Sequence, residues 1–514
     1  MAIGLIIAAT GGCLCAAYLS YLAIIVKKAS TDYTSFFMNL LLQSLKPSCS
    51  TRGANALTKP VPSLDYKWPN GQGTEKFFEG TIASRRWMEE NGPVYQIWSG
   101  IKPEVVLTKP EHLRDFYRDS DKHIKAVNNN SGWLVGELLG SCLGLVSQER
   151  WQRVRTHWSH LFTPTLAQSY TPVAINHARE YVDRLLQSQP NNVDTVIQFD
   201  VVDGLKLYPF ITVAEILFGL LSEKQEKTLI GLVPEREELF RLGIKGGINR
   251  TRLAPLLQTK AYRMLCKYQA SWRAFVVDAY ESSRALDKNA MVEELWGKVV
   301  NDNGMSEQEC LQTLDEVLFA NLDVTTSAVS WTHVLIAQHP GIQQDVRQEI
   351  AQHRDQWDEY INNPNTLLAG CVLEASRLHP ILPFSNPEAA TVDKIVGGVA
   401  IPRGVDVIVD THAINVDNPY WVDGTSYNPR RFSNMQSQQY RYHFWRFGFG
   451  PRQCLGKYLS DRLVRALLGE LLGRCEISLH ESNKDNSSFG LQDESWVGLP
   501  QVRICCKPII EGSE

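Results

Sequence analysis

The stretch FGFGPRQCLG at residues 447–456 constrains this chain more than any other. Gly448, Gly450 and Gly456 are free to adopt backbone conformations closed to residues with a Cβ, and Pro451 fixes a turn. Leu455, Leu459, Leu463, Leu467 and Leu471 recur every four residues, which predicts an amphipathic helix starting near Cys454. Cys454 is thereby placed at a helix N-terminus, where main-chain N–H groups and the helix dipole stabilise a thiolate. A buried cysteine in a glycine-rich turn is the plainer account; the density of glycine, and Arg452 two residues earlier, stand against it.

Composition removes several function classes. The chain has 514 residues, 44% hydrophobic and 21% charged, and a formal net charge of -4 gives it no general attraction to nucleic acid. Its 11 cysteines form no CxxC pair, which argues against a disulfide scaffold or a structural zinc site. The N-terminus is uncharged from Ala2 to Val26 and is followed by Lys27 and Lys28. That is the length of a bilayer-spanning helix, and the missing basic start distinguishes it from a cleaved signal peptide. The positive flank after it places the rest of the chain in the cytosol.

We therefore expect a transmembrane anchor over 2–26, a linker and proline-rich hinge over 27–73, and a catalytic domain over 74–514. Within that domain, VYQIW (94–98) and EVVLT (104–108) around Gly100 predict a hairpin. Ser306 to His339 reads as one long helix ended by Pro340, and a second helix near Leu367 to Leu378 stops at His379-Pro380. Residues 394–414 alternate β-prone runs with turns. No internal repeat is evident, so the fold class is mainly α with small β-sheets in one large domain.

A lone thiolate suits haem iron, because the porphyrin supplies the four in-plane ligands, whereas zinc would need further side chains nearby. Arg452 is then a partner for a haem propionate. At this point FGFGPRQCLG resembles the haem-binding signature FGxGxRxCxG of the cytochrome P450 family, with every specified position matched. Phe447, Gly448, Arg452 and Gly456 become cofactor-binding residues by that resemblance, and Cys454 the metal ligand. LEASRLHP resembles the family's ExxR element, giving Glu374 and Arg377 on one helix face, and YNPRRF its PxRF element, giving Arg431. Together they imply a buried charge cluster. SQERWQRVRTHW resembles the WxxxR helix, so Trp151 and Arg155 join the propionate partners. The landmarks follow in the family's order from about residue 55 onward, which implies a P450 fold behind a single N-terminal transmembrane helix.

Two departures bear on the reaction. Where the family's long helix carries AGxDTT, this chain reads FANLDVTT: Ala320 and Asp323 match, Asn321 replaces the glycine, and Val324 stands at the first threonine. Thr325 follows, but one residue of shift turns a side chain by about 100° around a helix. Either Asp323 with Thr325, Asn321 or water still relays protons, or the enzyme relies less on that relay; Asn321 is alternatively a hydrogen-bond partner for a polar substrate. The second departure is Glu388, near the place where the family often has an arginine that touches a propionate. Arg155, Arg452 and His379 are then left with more of that task.

The resemblance implies haem b (iron protoporphyrin IX), O₂ activation, and electrons from NADPH through a separate flavoprotein, NADPH-cytochrome P450 reductase. The remaining partners are membrane lipid and a small organic substrate, and the location is the endoplasmic reticulum with the catalytic domain facing the cytosol. Trp133, Phe319, Leu322, Ile381 and Phe384 are the candidate substrate pocket, although core packing would explain each equally well. Arg441, Arg446, Lys457, Arg462 and Arg465 are a candidate basic docking face. LFANLDVTT also resembles fungal secondary-metabolism members of the family, including those acting on cyclic dipeptides. A monooxygenase is the leading expectation; oxidative coupling, cyclisation or isomerisation on the same fold is the second, and a non-catalytic haem sensor the third.

Overall fold

The structure, a computed structural model, describes residues 28, 30–42, 60–187, 196–301, 304–433, 435–484, 489–493 and 495–509. The expected anchor over 2–26 lies outside the described residues, and among those residues no helix is long and apolar enough to cross a membrane. The fold is mainly helical with small sheets, as the sequence predicts.

The hairpin forms from β1 (Val94–Ser99) and β2 (Lys102–Leu107), antiparallel with Ser99 opposite Lys102. Its two-residue turn depends on Gly100 at φ +60°, where a Cβ would also strike the Arg250 guanidinium 2.6 Å away. β3 (Ile124–Lys125) is followed by β4 (Ile197–Asp200), β5 (Glu388–Ala389), β6 (Lys394–Val396), β7 (Val399–Ile401) and β8 (Asp406–Val409). β9 (Cys475–Leu479) and β10 (Arg503–Pro508) complete the set. The largest sheet has the order β1-β2-β8-β5-β3; β4-β10-β9 and β6-β7 form two smaller ones.

Part of the proline-rich segment expected to be a hinge belongs to the folded body. Gln96 N donates to Pro62 O, Leu64 N to Gln96 O and Gln72 N to Trp98 O, at 2.8, 2.9 and 2.7 Å, and Tyr66 is fully buried. Prolines are tolerated there because the pairing lies along the outer edge of β1.

The helices that matter for the site begin with α1 (Trp133–Leu139) and α2 (Gln148–Ser159), continue through α3 (Leu207–Phe218), α4 (Glu223–Lys245) and α5 (Lys260–Ala285), and reach the long central helix. Ser306 caps it: its hydroxyl accepts the Glu309 N–H at 3.2 Å while Glu309 Oε2 accepts the Ser306 N–H at 2.9 Å. The expected single helix is in fact α6 (Glu307–Ala320), one turn of π-helix at Asn321–Thr325, and α7 (Thr326–Gln338). α8 (Leu367–Leu378) ends at His379 as predicted. α9 (Lys457–Leu472) starts three residues later than expected, because Gln453 is extended and Gly456 is the N-cap. Cys454 and Leu455 thus precede the helix. The main hydrophobic core gathers the inner faces of α3, α5, α6, α7 and α9.

Candidate active site

The cysteine loop is tied to itself by its main chain. The Cys454 N–H donates to Phe447 O at 3.0 Å and Gln453 N–H to Gly450 O at 3.2 Å, closing the turn that Gly450, Pro451 and Arg452 make. Gly448 and Gly450 adopt φ of +78° and +69°, so glycine is required at both; at Gly450 a Cβ would also lie 2.3 Å from Ser120 Oγ. At Gly448 and Gly456 a Cβ would meet open space. Cys454 has accessible surface, yet burial dominates its electrostatics and pushes the thiol up, while the Gly456 N–H, Arg155 and Lys457 pull it down.

Two arginines converge beside it. Arg155 Nη1 donates to Gln453 O at 3.4 Å, and Arg452 Nη2 to Val146 O at 2.6 Å. Trp151, one helical turn before Arg155 on α2, lies under the Arg452 guanidinium at 4.8 Å. Burial lowers both arginines, Arg452 to about 10, and the charge of Arg155 lowers Arg452 as well. Arg452 Nε is buried without a partner. Two half-buried guanidiniums, one with a buried unsatisfied N–H, next to a thiol fit the propionates and iron of a haem, which Cys454 would ligate, with Gly448 and Gly456 leaving room against the loop.

Glu388 does not compete for these arginines unpaired. Burial would raise it, but Lys125 at 2.9 Å and His123 at 3.8 Å hold its carboxyl down at about 2. His379 stacks on Trp331 with ring centroids 3.5 Å apart, and burial pushes it down to about 3. Several members of the expected basic face are engaged within the molecule. Arg446 forms a two-pronged pair with Asp461, Arg465 is buried with Nη1 on Asn363 O at 2.8 Å, and Lys457 bonds Gln453 Oε1 at 2.7 Å.

The structure brings Glu374, Arg377 and Arg431 together. Arg377 Nε and Nη2 each lie 2.8 Å from a Glu374 oxygen, and Arg431 Nε lies 2.9 Å from Glu374 Oε1. The excess positive charge is absorbed by carbonyls: Arg377 Nη1 donates to Asn415 O and Gly424 O, and Arg431 Nη1 to Val422 O. Asn415 carries the cluster to the cysteine loop, since its side-chain amide exchanges hydrogen bonds with the Trp445 main chain at 2.7 and 2.8 Å.

On the central helix, Asn321 fills the π-turn. Its Nδ2 donates to Val317 O at 2.8 Å and Leu318 O at 3.0 Å, its Oδ1 accepts the Thr325 hydroxyl at 2.7 Å, and its carbonyl accepts the Thr326 hydroxyl at 2.9 Å. Carbonyls loosened by the extra residue are thus satisfied from inside the turn. Asp323 is held elsewhere: Trp496 Nε1 donates to its Oδ2 at 2.9 Å. Burial raises the Asp323 carboxyl and the Trp496 N–H opposes that. Sequence reasoning missed Trp496, which lies 173 residues away.

The pocket candidates divide. Phe319 sits in an aromatic cluster with Phe210, Tyr268 and Trp272 at centroid distances of 5.5, 6.0 and 5.4 Å, Leu322 is in the main core, and Phe384 stacks on Trp87 at 6.2 Å beneath the large sheet. These three are buried packing residues. Trp133 and Ile381 are half-buried at the margin of the core, Trp133 tilted against Tyr262.

This chain belongs to the cytochrome P450 family: the family's sequence model, Cytochrome P450, matches residues 73–504. It is accordingly an oxidoreductase of a haem-thiolate family. Among characterised relatives, it is 47% identical over 465 residues to cytochrome P450 monooxygenase gliC of Aspergillus fumigatus, covering 88% of this chain and 90% of that one. It is 48% identical over 452 residues to cytochrome P450 monooxygenase verC of Clonostachys rogersoniana, covering 87% and 88%, and 41% identical over 472 residues to cytochrome P450 monooxygenase aclC of Aspergillus oryzae, covering 90% and 94%.

Proposed function

We propose that this chain is a membrane-anchored monooxygenase of fungal secondary metabolism that oxidises a small organic substrate, with cyclic dipeptides and related mycotoxin precursors the candidate class. Its electrons come from NADPH through a separate flavoprotein reductase at the endoplasmic reticulum. The observation that carries the reading is the convergence of Cys454 with the half-buried Arg155 and Arg452.

Haem bound there supplies the iron that, with two electrons and protons, activates O₂ against a substrate C–H bond. Cys454 would hold the iron through its thiolate. Arg155 and Arg452 neutralise the propionates, with Trp151 holding the Arg452 plane. Asn321 fixes the Thr325 hydroxyl, and Asp323, whose Oδ2 accepts the Trp496 N–H, holds or releases a proton at its other oxygen, Oδ1.

A second reading is oxidative coupling or cyclisation without oxygen insertion. It is favoured by Val324 at the position of the family's alcohol and by the Thr325 hydroxyl donating into the Asn321 amide rather than standing free. Reconstitution with a reductase, candidate cyclic dipeptides and labelled O₂ separates the two. Label in the product is the expected result; an unlabelled coupled or cyclised product establishes the second reading. Loss of the reduced carbon monoxide spectrum in Cys454→Ala is expected, and its persistence would remove the ligand assignment.

A further inference from the structure

Glu388 stands where the family often has an arginine on a propionate, and the structure withdraws one of the residues expected to take over that task. His379 is stacked on Trp331 and kept neutral by burial. Arg155 and Arg452 remain beside Cys454, with the Glu388 carboxylate added to their surroundings.

The pairing of β3 with β5 supplies a third cation. Lys125 is the Cα partner of Glu388, and directly opposed residues of an antiparallel pair share one face of the sheet. Its ammonium lies 2.9 Å from Glu388 Oε2, while the fully buried His123 lies 3.8 Å from Oε1. Two contacts bring this strand to the cysteine side. The Lys125 main-chain N–H donates to Ser147 Oγ at 2.8 Å, and Val146, the residue before Ser147, accepts Arg452 Nη2 at 2.6 Å. Lys125 and Arg452 are thus tied to consecutive residues ahead of α2. Ser120 lies against the loop itself, where a Cβ on Gly450 would come within 2.3 Å of its Oγ. Of the neighbouring charges, that of Glu388 acts most strongly on Arg452.

The Lys125 side chain is only 15% exposed. An ammonium carries three N–H donors, and among the described residues Glu388 is its one acidic partner. A largely buried ammonium with donors to spare is unfavourable until a second acceptor meets it. Charge balance agrees. Arg155, Arg452 and Lys125 would face Glu388 and the two propionates, cation for carboxylate.

We propose that Lys125 is a haem-propionate-binding residue, its ammonium shared between Glu388 and a propionate. The cation that the family often carries at the Glu388 position is thereby delivered from the neighbouring strand. This goes further than the function proposed above and rests on haem binding at Cys454.

The test is the rate of haem transfer from the haem-loaded enzyme to apomyoglobin, with the ferric/ferrous midpoint potential read alongside. Lys125→Met keeps the hydrocarbon stem and removes the charge. It is expected to release haem about tenfold faster than wild type, the range of a hydrogen bond between charged groups, and to lower the potential because a nearby positive charge is gone. Lys125→Arg should restore most of the retention. The double variant Lys125→Met/Glu388→Gln decides what the ammonium serves. If Lys125 only neutralises Glu388, removing both charges returns haem loss to the wild-type rate, and the proposal is overturned. If it holds a propionate, haem still leaves about fivefold faster or more. Glu388→Gln alone keeps an acceptor for Lys125 and should release haem at close to the wild-type rate; loss as fast as in Lys125→Met overturns the assignment to the ammonium. If Lys125→Met does not fold, the double variant, which leaves no unpaired charge, decides by itself. The reduced carbon monoxide spectrum of wild type keeps the two readings apart. A wild-type spectrum without a thiolate-ligated haem removes the function proposed above, whereas a normal spectrum with unaltered haem loss in Lys125→Met overturns the role of Lys125 alone.

Discussion

Glu374 and Glu316 are both glutamates on inner helices, the first buried and the second half-buried, and they differ in company. Glu374 has donors on both oxygens from Arg377, a third from Arg431 and a fourth from the Asn428 N–H. Glu316 has one main-chain donor, the Cys142 thiol beside it, and is half-buried. The first is a closed network that fixes the cysteine side through Asn415 and Trp445. The second belongs to a helix side where acids and alcohols are held by few bonds. On the function proposed above, the cysteine side would hold the cofactor and the helix side would meet the substrate.

Removing a member of the closed network should have the largest effect. Arg377→Ala leaves Glu374 and Arg431 unbalanced and is expected to cost about 3–5 kcal/mol, read by chemical denaturation and by loss of haem incorporation. A stability change below about 1 kcal/mol would mean that the cysteine side is not held by this cluster. Next, Trp496→Phe removes a hydrogen bond to a buried carboxyl, worth about 1.5–3 kcal/mol when the carboxyl is ionised. That bond favours the ionised form, so its loss raises Asp323 further, and the Asp323-dependent limb of turnover against pH should move to higher pH. Asp323→Asn should abolish that limb, and a limb unmoved by Trp496→Phe would separate Trp496 from the proton chemistry.

A smaller effect is expected from Asn321→Ala, which leaves the Val317 and Leu318 carbonyls without their side-chain donor and frees the Thr325 hydroxyl. Stability should fall by about 1–2 kcal/mol, and the share of electrons leaving as hydrogen peroxide should change. The smallest is a stability effect in acid. His379 is depressed from 6.5 to about 3, so the unfolded chain takes up a proton that the folded one refuses, and stability contributed by the neutral ring is lost as pH falls from about 6.5 toward 3. His379→Gln should flatten unfolding free energy across that window.

The cysteine side was legible in sequence because its chemistry is written locally. Cys454, its glycines and Arg452 lie within ten residues, and Glu374 and Arg377 are three apart on one helix face. The helix side was not, because its partners arrive from far along the chain: Gly144 is 172 residues from Glu316 and Trp496 is 173 from Asp323. The π-turn also escaped, since one extra residue leaves the apolar pattern almost intact. The one signal was an asparagine in an apolar run with hydroxyls four and five residues later, the residues that satisfy the loosened carbonyls. The start of α9 was misplaced because leucine spacing continues back through Leu455, whereas the extended Gln453 and the Gly456 cap decide where helical hydrogen bonds begin.

The π-turn makes the central helix two independent parts joined at a phase slip. Every residue from Thr326 to Ala337 is buried, so α7 is locked on all sides by its neighbours. α6, on the other side of the slip, is less completely enclosed, with Glu316, Val317 and Ala320 half-buried. Substitutions on α6 can thus be tried by natural variation while α7 keeps the domain assembled, and the turn between them sets the angle at which each trial is presented to the substrate.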